Sequence, residues 1–264
     1  MKKNNLYLKV FYFPLEESIE SITLRFMAHL LAKLSNDTIR ISPLDLKSTN
    51  ENKPVPQEVL DLLETEEYQS ILKFFEETVL FFEERNATGV YKQVRSYAEK
   101  NGVTHRKQIN IVNKETGDSE VREVFDYYEP NDPKEYVIIL TDHVSLLNPE
   151  SGMDLRESIN RFSEYMVMFR NRYNYIPVVI QQQNTETMGL DAFKAGKVRP
   201  TITGLGDSKY TGRDCSIMLG ITNPYSHEVD NYLGYDIRKF KDSIRFLEVV
   251  LNREGQSNGI IALY

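Results

Sequence analysis

The stretch YVIILTDH, residues 136–143, reads as one buried strand that delivers a carboxylate at its end. Tyr136 to Leu140 run without polar alternation and are rich in β-branched and aromatic side chains, and Thr141-Asp142-His143 follows. A strand buried on both faces has this pattern, and strands so buried belong to parallel sheets covered by helices. Tyr136–Leu140 is one of four apolar runs, three of which carry no strict polar alternation. Val10–Phe13 is followed by Pro14-Leu15-Glu16-Glu17, Pro177–Ile180 by Gln181-Gln182-Gln183-Asn184, and Phe246–Leu251 by Asn252-Arg253-Glu254-Gly255.

Between these runs the pattern turns helical. Ser18 opens a helix through Leu34, with Ile22, Phe26, Leu30 and Leu34 stepping by four. Pro43–Pro56 is polar and Pro-punctuated and reads as a loop. Gln57–Glu84 is acidic, with Val59, Leu62, Leu63, Ile71, Phe74 and Phe75 at helical spacing, and reads as two helices outside the sheet. Thr88–Lys100 is a shorter helix closed by Asn101-Gly102, and Ser158–Tyr173 is amphipathic. Gln108–Val112 and Glu120–Tyr128 alternate around Asn113–Asp118, the pattern of a hairpin inserted within 104–130. Strands alternating with helices indicate an α/β fold with a mainly parallel central sheet.

Composition narrows the class without naming a function. The 264 residues hold 41% hydrophobic and 27% charged side chains, ordinary for a globular protein. No apolar run approaches the ~20 residues that span a bilayer, and Leu6–Phe13 is too short and aromatic for a signal sequence. A cytoplasmic protein without membrane partners is expected. The net charge of −7 argues against a generic basic coat for nucleic acid, though a channel can carry local positive charge on an acidic body. Cys215, the single cysteine, excludes an internal disulfide and reads as a buried structural thiol beside Ile217-Met218-Leu219. His29, His105, His143 and His227 are scattered, so zinc is not expected.

In an open parallel sheet, ligands bind beyond the carboxyl ends of the strands. Two carboxylates and an amide gathered there are equipment for metal-assisted phosphoryl transfer: one holds Mg²⁺, one polarises water, and the amide senses the terminal phosphate.

The ordered set of strand-end words resembles the motor domain of DnaB-type and phage primase-helicase replicative DNA helicases. FYFPLEES, residues 11–18, is similar to the motif whose glutamate activates water, which implies that role for Glu16, with Glu17 the less favoured alternative. VIILTDHVSLL, residues 137–147, resembles the Walker B strand and implies Mg²⁺ coordination by Asp142. IPVVIQQQN, residues 176–184, resembles the next motif, whose Gln or His couples the γ-phosphate to the DNA loop. Anchoring on Asn184 selects Gln182 and counting from Pro177 selects Gln183; Gln182 is preferred. Residues 199–221 resemble the stretch leading into a further core strand. VVLNREGQSNGIIALY, residues 249–264, is similar to the final strand pair and implies an arginine finger at Arg253, although Leu251 stands where the family usually has Lys.

The resemblance covers nearly the whole chain. It implies one RecA-like three-layer domain over 1–264, ATP and Mg²⁺ as cofactors, a homo-hexamer, single-stranded DNA in the channel, and a primase or helicase loader as partner. Of the loops expected to face that channel, 148–156 and 185–199, the second carries Lys194, Lys197 and Arg199 as the expected phosphate contacts.

One element is missing. The family's phosphate loop, G-x-x-x-x-G-K-[ST], occurs nowhere in these 264 residues. Its backbone N–H groups and Lys hold the β- and γ-phosphates, and carboxylates cannot replace them. An N-terminally incomplete motor is the favoured expectation. A non-catalytic scaffold or regulatory subunit and a RecA/RadA-like recombinase are the alternatives.

Overall fold

The computed structural model describes residues 6–47, 53–112, 117, 119–184 and 199–264. They form two compact units, one within Met1–Arg85, Gly89–Asp142 and Phe169–Val178, the other within Asn86–Thr88, His143–Met168 and Val179–Tyr264.

The first unit is built on a four-stranded parallel sheet flanked by helices. Its strands are β1 (Tyr7–Pro14), β2 (Val79–Phe81), β5 (Glu135–Asp142) and β6 (Ile176–Val179), in the order β2-β1-β5-β6. β1 and β5 are parallel over their full length, from Tyr7 opposite Glu135 to Pro14 opposite Asp142, so both end at the same edge. Phe11, Phe13, Val137, Ile139 and Thr141 share one face and are fully buried, while Tyr12, Ile138 and Leu140 on the other are half-buried.

Helices lie against both faces. The buried face meets α5 (Ala87–Lys100), where Phe11 packs edge-on against Tyr97 at 4.7 Å. On the opposite face Tyr12 stacks on Phe81, and Phe81 meets Phe75 of α4 (Glu66–Thr78). Phe75 in turn stacks at 3.9 Å on Phe26 of α1 (Ile19–Leu34). α1 starts where its sequence dictates, because the Ser18 hydroxyl accepts the Ser21 N–H. With α3 (Gln57–Leu63) it buries Leu30, Leu31, Val59 and Tyr68 in a cluster away from the sheet.

In the first unit two readings of the sequence need correction and a third is extended. The helical stretch drawn to Glu84 ends at Thr78. Val79-Leu80-Phe81, a β-branched and aromatic run, pairs with the open edge of β1 as β2, so long-range pairing overrides the local helical pattern. Within the segment read as a loop, Ser42 caps a single helical turn, α2 (Pro43–Leu46), with Pro43 at a position that needs no N–H. The hairpin is longer than its alternating core: β3 (Gly102–Val112) pairs with β4 (Ser119–Pro130) from Gly102 opposite Pro130 outward.

In the second unit, β7 (Ile217–Thr222), β10 (Arg245–Asn252) and β11 (Ile260–Leu263) form an antiparallel sheet in the order β11-β10-β7, and the two-residue strands β8 (Asn231–Tyr232) and β9 (Tyr235–Asp236) pair with each other. Phe246–Leu251 is therefore an antiparallel strand. Phe246 closes on Val229, Tyr232, Ile237 and Ile244. Cys215 is half-buried, with its thiol 3.3 Å from the Gly212 carbonyl, where full burial was expected. The amphipathic stretch 158–173 is α6 (Leu155–Tyr173), which contributes residues to both units. No helix among the described residues is long and apolar enough to cross a membrane.

Candidate active site

At the carboxyl edge of β1 and β5 the backbone is tied across the strand ends: the Leu15 N–H donates to the Asp142 carbonyl at 2.7 Å, and Arg85 donates to the Leu15 carbonyl. Leu15 is buried, and Ser18 is fixed as the cap of α1. The two residues between, Glu16 and Glu17, differ in environment. Glu17 holds the Arg25 guanidinium with both oxygens at 2.7 Å and accepts the Ser21 hydroxyl at 3.3 Å. Glu16 is solvent-exposed at the sheet edge. A carboxylate clamped by an arginine is a poor water activator.

Asp142 ends β5. Its Oδ2 accepts the Tyr12 hydroxyl at 3.2 Å, and Tyr12 was not picked out from the sequence. Burial, followed by the neighbouring Asp142 carboxylate, pushes the Tyr12 phenol up to about 12, so it stays a neutral donor. The side chains of residues 12 and 142 stand on one face of neighbouring strands, two pairs apart in register. In the sequence they are separated by 130 positions, and no local pattern announces the pair.

The second unit carries the remaining candidates. The Gln183 amide is paired with the main chain of Thr201 in both directions, at 3.2 and 3.3 Å. The Gln181 amide donates to the carbonyls of Gly206 and Ser208 and accepts from the Thr211 hydroxyl. Gln182 has its side-chain nitrogen 3.3 Å from Nε2 of His143. Arg253 directly follows β10, and its exposed guanidinium donates to the Cys215 and Arg213 carbonyls at 2.9 and 2.6 Å. Arg199 makes a two-pronged ion pair with Glu248, a carboxylate 6% exposed in the middle of β10. Lys194 and Lys197 lie outside the described residues. In the other candidate loop, Glu150 accepts the Thr88 N–H at 2.7 Å and Arg161 at 2.6 Å, which pins the start of α5.

In the first unit, the chemistry of Asp142 and Tyr12 suits a Mg²⁺ ion. Asp142, oriented by Tyr12, is the ligand type that holds Mg²⁺ through water. Among the described residues no group of three or more His, Cys, Asp or Glu forms a metal cage, so such an ion would rely on nucleotide oxygens and water. Of the cations near this edge among the described residues, Arg25 is bonded to Glu17 and Arg85 to the Leu15 carbonyl, and the 264 residues hold no G-x-x-x-x-G-K-[ST] pattern.

No known family profile matches the chain, and no curated protein resembles it in sequence. Among solved structures, it is similar to a DnaB-like replicative helicase whose structure was described together with its interactions with primase. The two superpose with a TM-score of 0.62 at 12% identity, over 97% of this chain and 48% of the other, so the chain spans about half the length of that structure. At that identity the likeness carries the fold and nothing finer: this chain has the RecA-like α/β fold of a DnaB-like helicase.

Proposed function

We propose that the chain is the hydrolysis and sensing portion of an ATP-driven replicative DNA helicase motor, working in a homo-hexamer on single-stranded DNA. The observation that carries this reading is the shared exit of two adjacent parallel strands, with Asp142 ending β5 and Glu16 two residues beyond the Pro14 opposite it. In this reading Asp142 takes Mg²⁺, Glu16 orients the attacking water, Gln182 senses the terminal phosphate and Arg253 reaches a neighbouring subunit. Lys194 and Lys197 contact the DNA backbone, and a primase or helicase loader is the expected partner. Gln183 and Arg199, the other two candidates, are occupied by Thr201 and by the buried carboxylate of Glu248, which favours anchoring roles for both; Arg253 is bonded to the Cys215 and Arg213 carbonyls and would have to leave them to serve as a finger.

A scaffold or regulatory role is the second reading, favoured by the missing phosphate loop. The deciding experiment is DNA-stimulated ATP hydrolysis, by the chain alone and with the strand and phosphate loop of a DnaB-like helicase fused ahead of it. The chain alone should be inactive. In the fused protein Glu16→Gln and Asp142→Asn should each lower kcat by about 10²–10³-fold. Turnover indifferent to both, or a fused protein that binds Mg²⁺–ATP without hydrolysing it, sinks the motor reading in favour of the scaffold.

A further inference from the structure

Three consecutive glutamines leave β6, and the second unit treats them differently. Gln181 and Gln183 end on main-chain groups of residues 201–208, contacts that fasten one segment to another. The backbone of Gln182 is equally fixed, since its carbonyl accepts the Gly206 N–H at 3.2 Å. Its side chain is held otherwise. The only hydrogen-bonding neighbour of its amide among the described residues is Nε2 of His143, at 3.3 Å.

That ring is only 6% exposed, and the next residue, Val144, donates its N–H to the Ile180 carbonyl at 3.1 Å. Ring and glutamine are thus registered to each other by a backbone bond two residues before Gln182. With the ring proton on Nδ1, Nε2 accepts the amide N–H. At 3.3 Å this nitrogen–nitrogen contact is at the long end of hydrogen-bond distances. A bond from the same amide to an anionic oxygen is shorter and roughly twice as strong. The amide is therefore held well enough to have one position and weakly enough to be exchanged.

We propose that His143 is a positioning residue for Gln182, seating its amide at the end of β6 until an anionic phosphoryl oxygen takes the N–H over. The exchange swaps one hydrogen bond for another and moves no proton. The identity of that oxygen rests on the motor reading above; the seat itself does not. It makes the residue after Asp142 the holder of the side chain that follows the next strand.

Selective ¹⁵N labelling of glutamine side chains in the 264-residue chain reads the seat directly, with Gln182 assigned by the signal lost in Gln182→Glu. His143→Leu removes the acceptor and keeps apolar bulk, while His143→Gln restores an amide oxygen near the Nε2 position. In His143→Leu the Gln182 amide protons should exchange with water about tenfold faster, and in His143→Gln they should return to within about twofold of the parent. The main-chain N–H of Gly206 should keep its protection in both. Unchanged Gln182 exchange in His143→Leu overturns the proposal, and so does failure of His143→Gln to restore it. If His143→Leu also strips Gly206 of protection, His143→Asn replaces it, because its shorter side chain cannot reach the Nε2 position; slow exchange there overturns the proposal and fast exchange supports it. No nucleotide or DNA enters the measurement, so its failure is separate from failure of the motor reading.

Discussion

At the residue scale, side chains of one chemical type take different partners, main chain or side chain, according to their neighbours. Arg199 illustrates this. As a cation beside a basic segment it reads as a DNA contact, yet its guanidinium is spent on Glu248, whose carboxylate is 6% exposed in β10. Pro200 packs against the bare Cα of Gly220 on β7, where no side chain would fit, so the chain is fastened at two successive residues. Removing Arg199 strands a buried carboxylate, while removing both partners does not. Arg199→Ala should therefore destabilise the chain by about 2–3 kcal/mol, and Arg199→Met with Glu248→Met should recover most of that loss in urea unfolding. If Arg199→Ala leaves the unfolding midpoint in place and weakens single-strand binding instead, the anchoring role is wrong. The three glutamines divide in the same way, with two amides used by the backbone and one by a ring.

At the element scale, helix ends differ in how far along the chain their caps lie. α1 is capped by its own Ser18, a signal written beside the helix. α5 is pinned from a distance: Glu150 accepts the Thr88 N–H and also holds Arg161. These donors, the Thr88 contacts first, hold the Glu150 carboxyl below its ordinary value near 4.5. A folded-state value below the unfolded one means the contact stabilises above the unfolded value and fades as pH falls through the folded one. Glu150→Gln should cost about 1–2 kcal/mol at pH 7, and the gap to the parent should narrow steadily below about pH 4.5. A gap that stays constant down to pH 3 would mean that charge plays no part in the pin. The hairpin is the opposite case, legible from alternation and turn residues yet exposed along most of its length. Its root is held by Tyr128, which donates to the Ala98 carbonyl, and by Arg172 over the Phe125 ring.

At the scale of the whole molecule, a net charge of −7 means that a nucleic-acid contact would have to be local, and the proposed one is the segment with Lys194 and Lys197. In a ring assembled on single-stranded DNA, replacing both by Glu should lower the magnitude of the slope of log affinity against log salt by about 1.4, two phosphate contacts at ~0.7 each. An unchanged slope in fluorescence anisotropy titrations would remove this segment from the DNA path. The sequence by itself determined the alternation of strands and helices, the residues at each strand's end and the start of α1, because apolar runs, helical spacing and caps are local signals. Only the tertiary structure decided that Val79–Phe81 is a strand, that β10 lies in an antiparallel sheet, that Tyr12 holds Asp142, and that Gln182 rather than its neighbours rests on His143. The polar contacts among these join residues 130 and 39 positions apart, and strand pairing likewise depends on which edge is left open. Such choices are made by long-range packing and hydrogen-bond satisfaction, to which local spacing is blind.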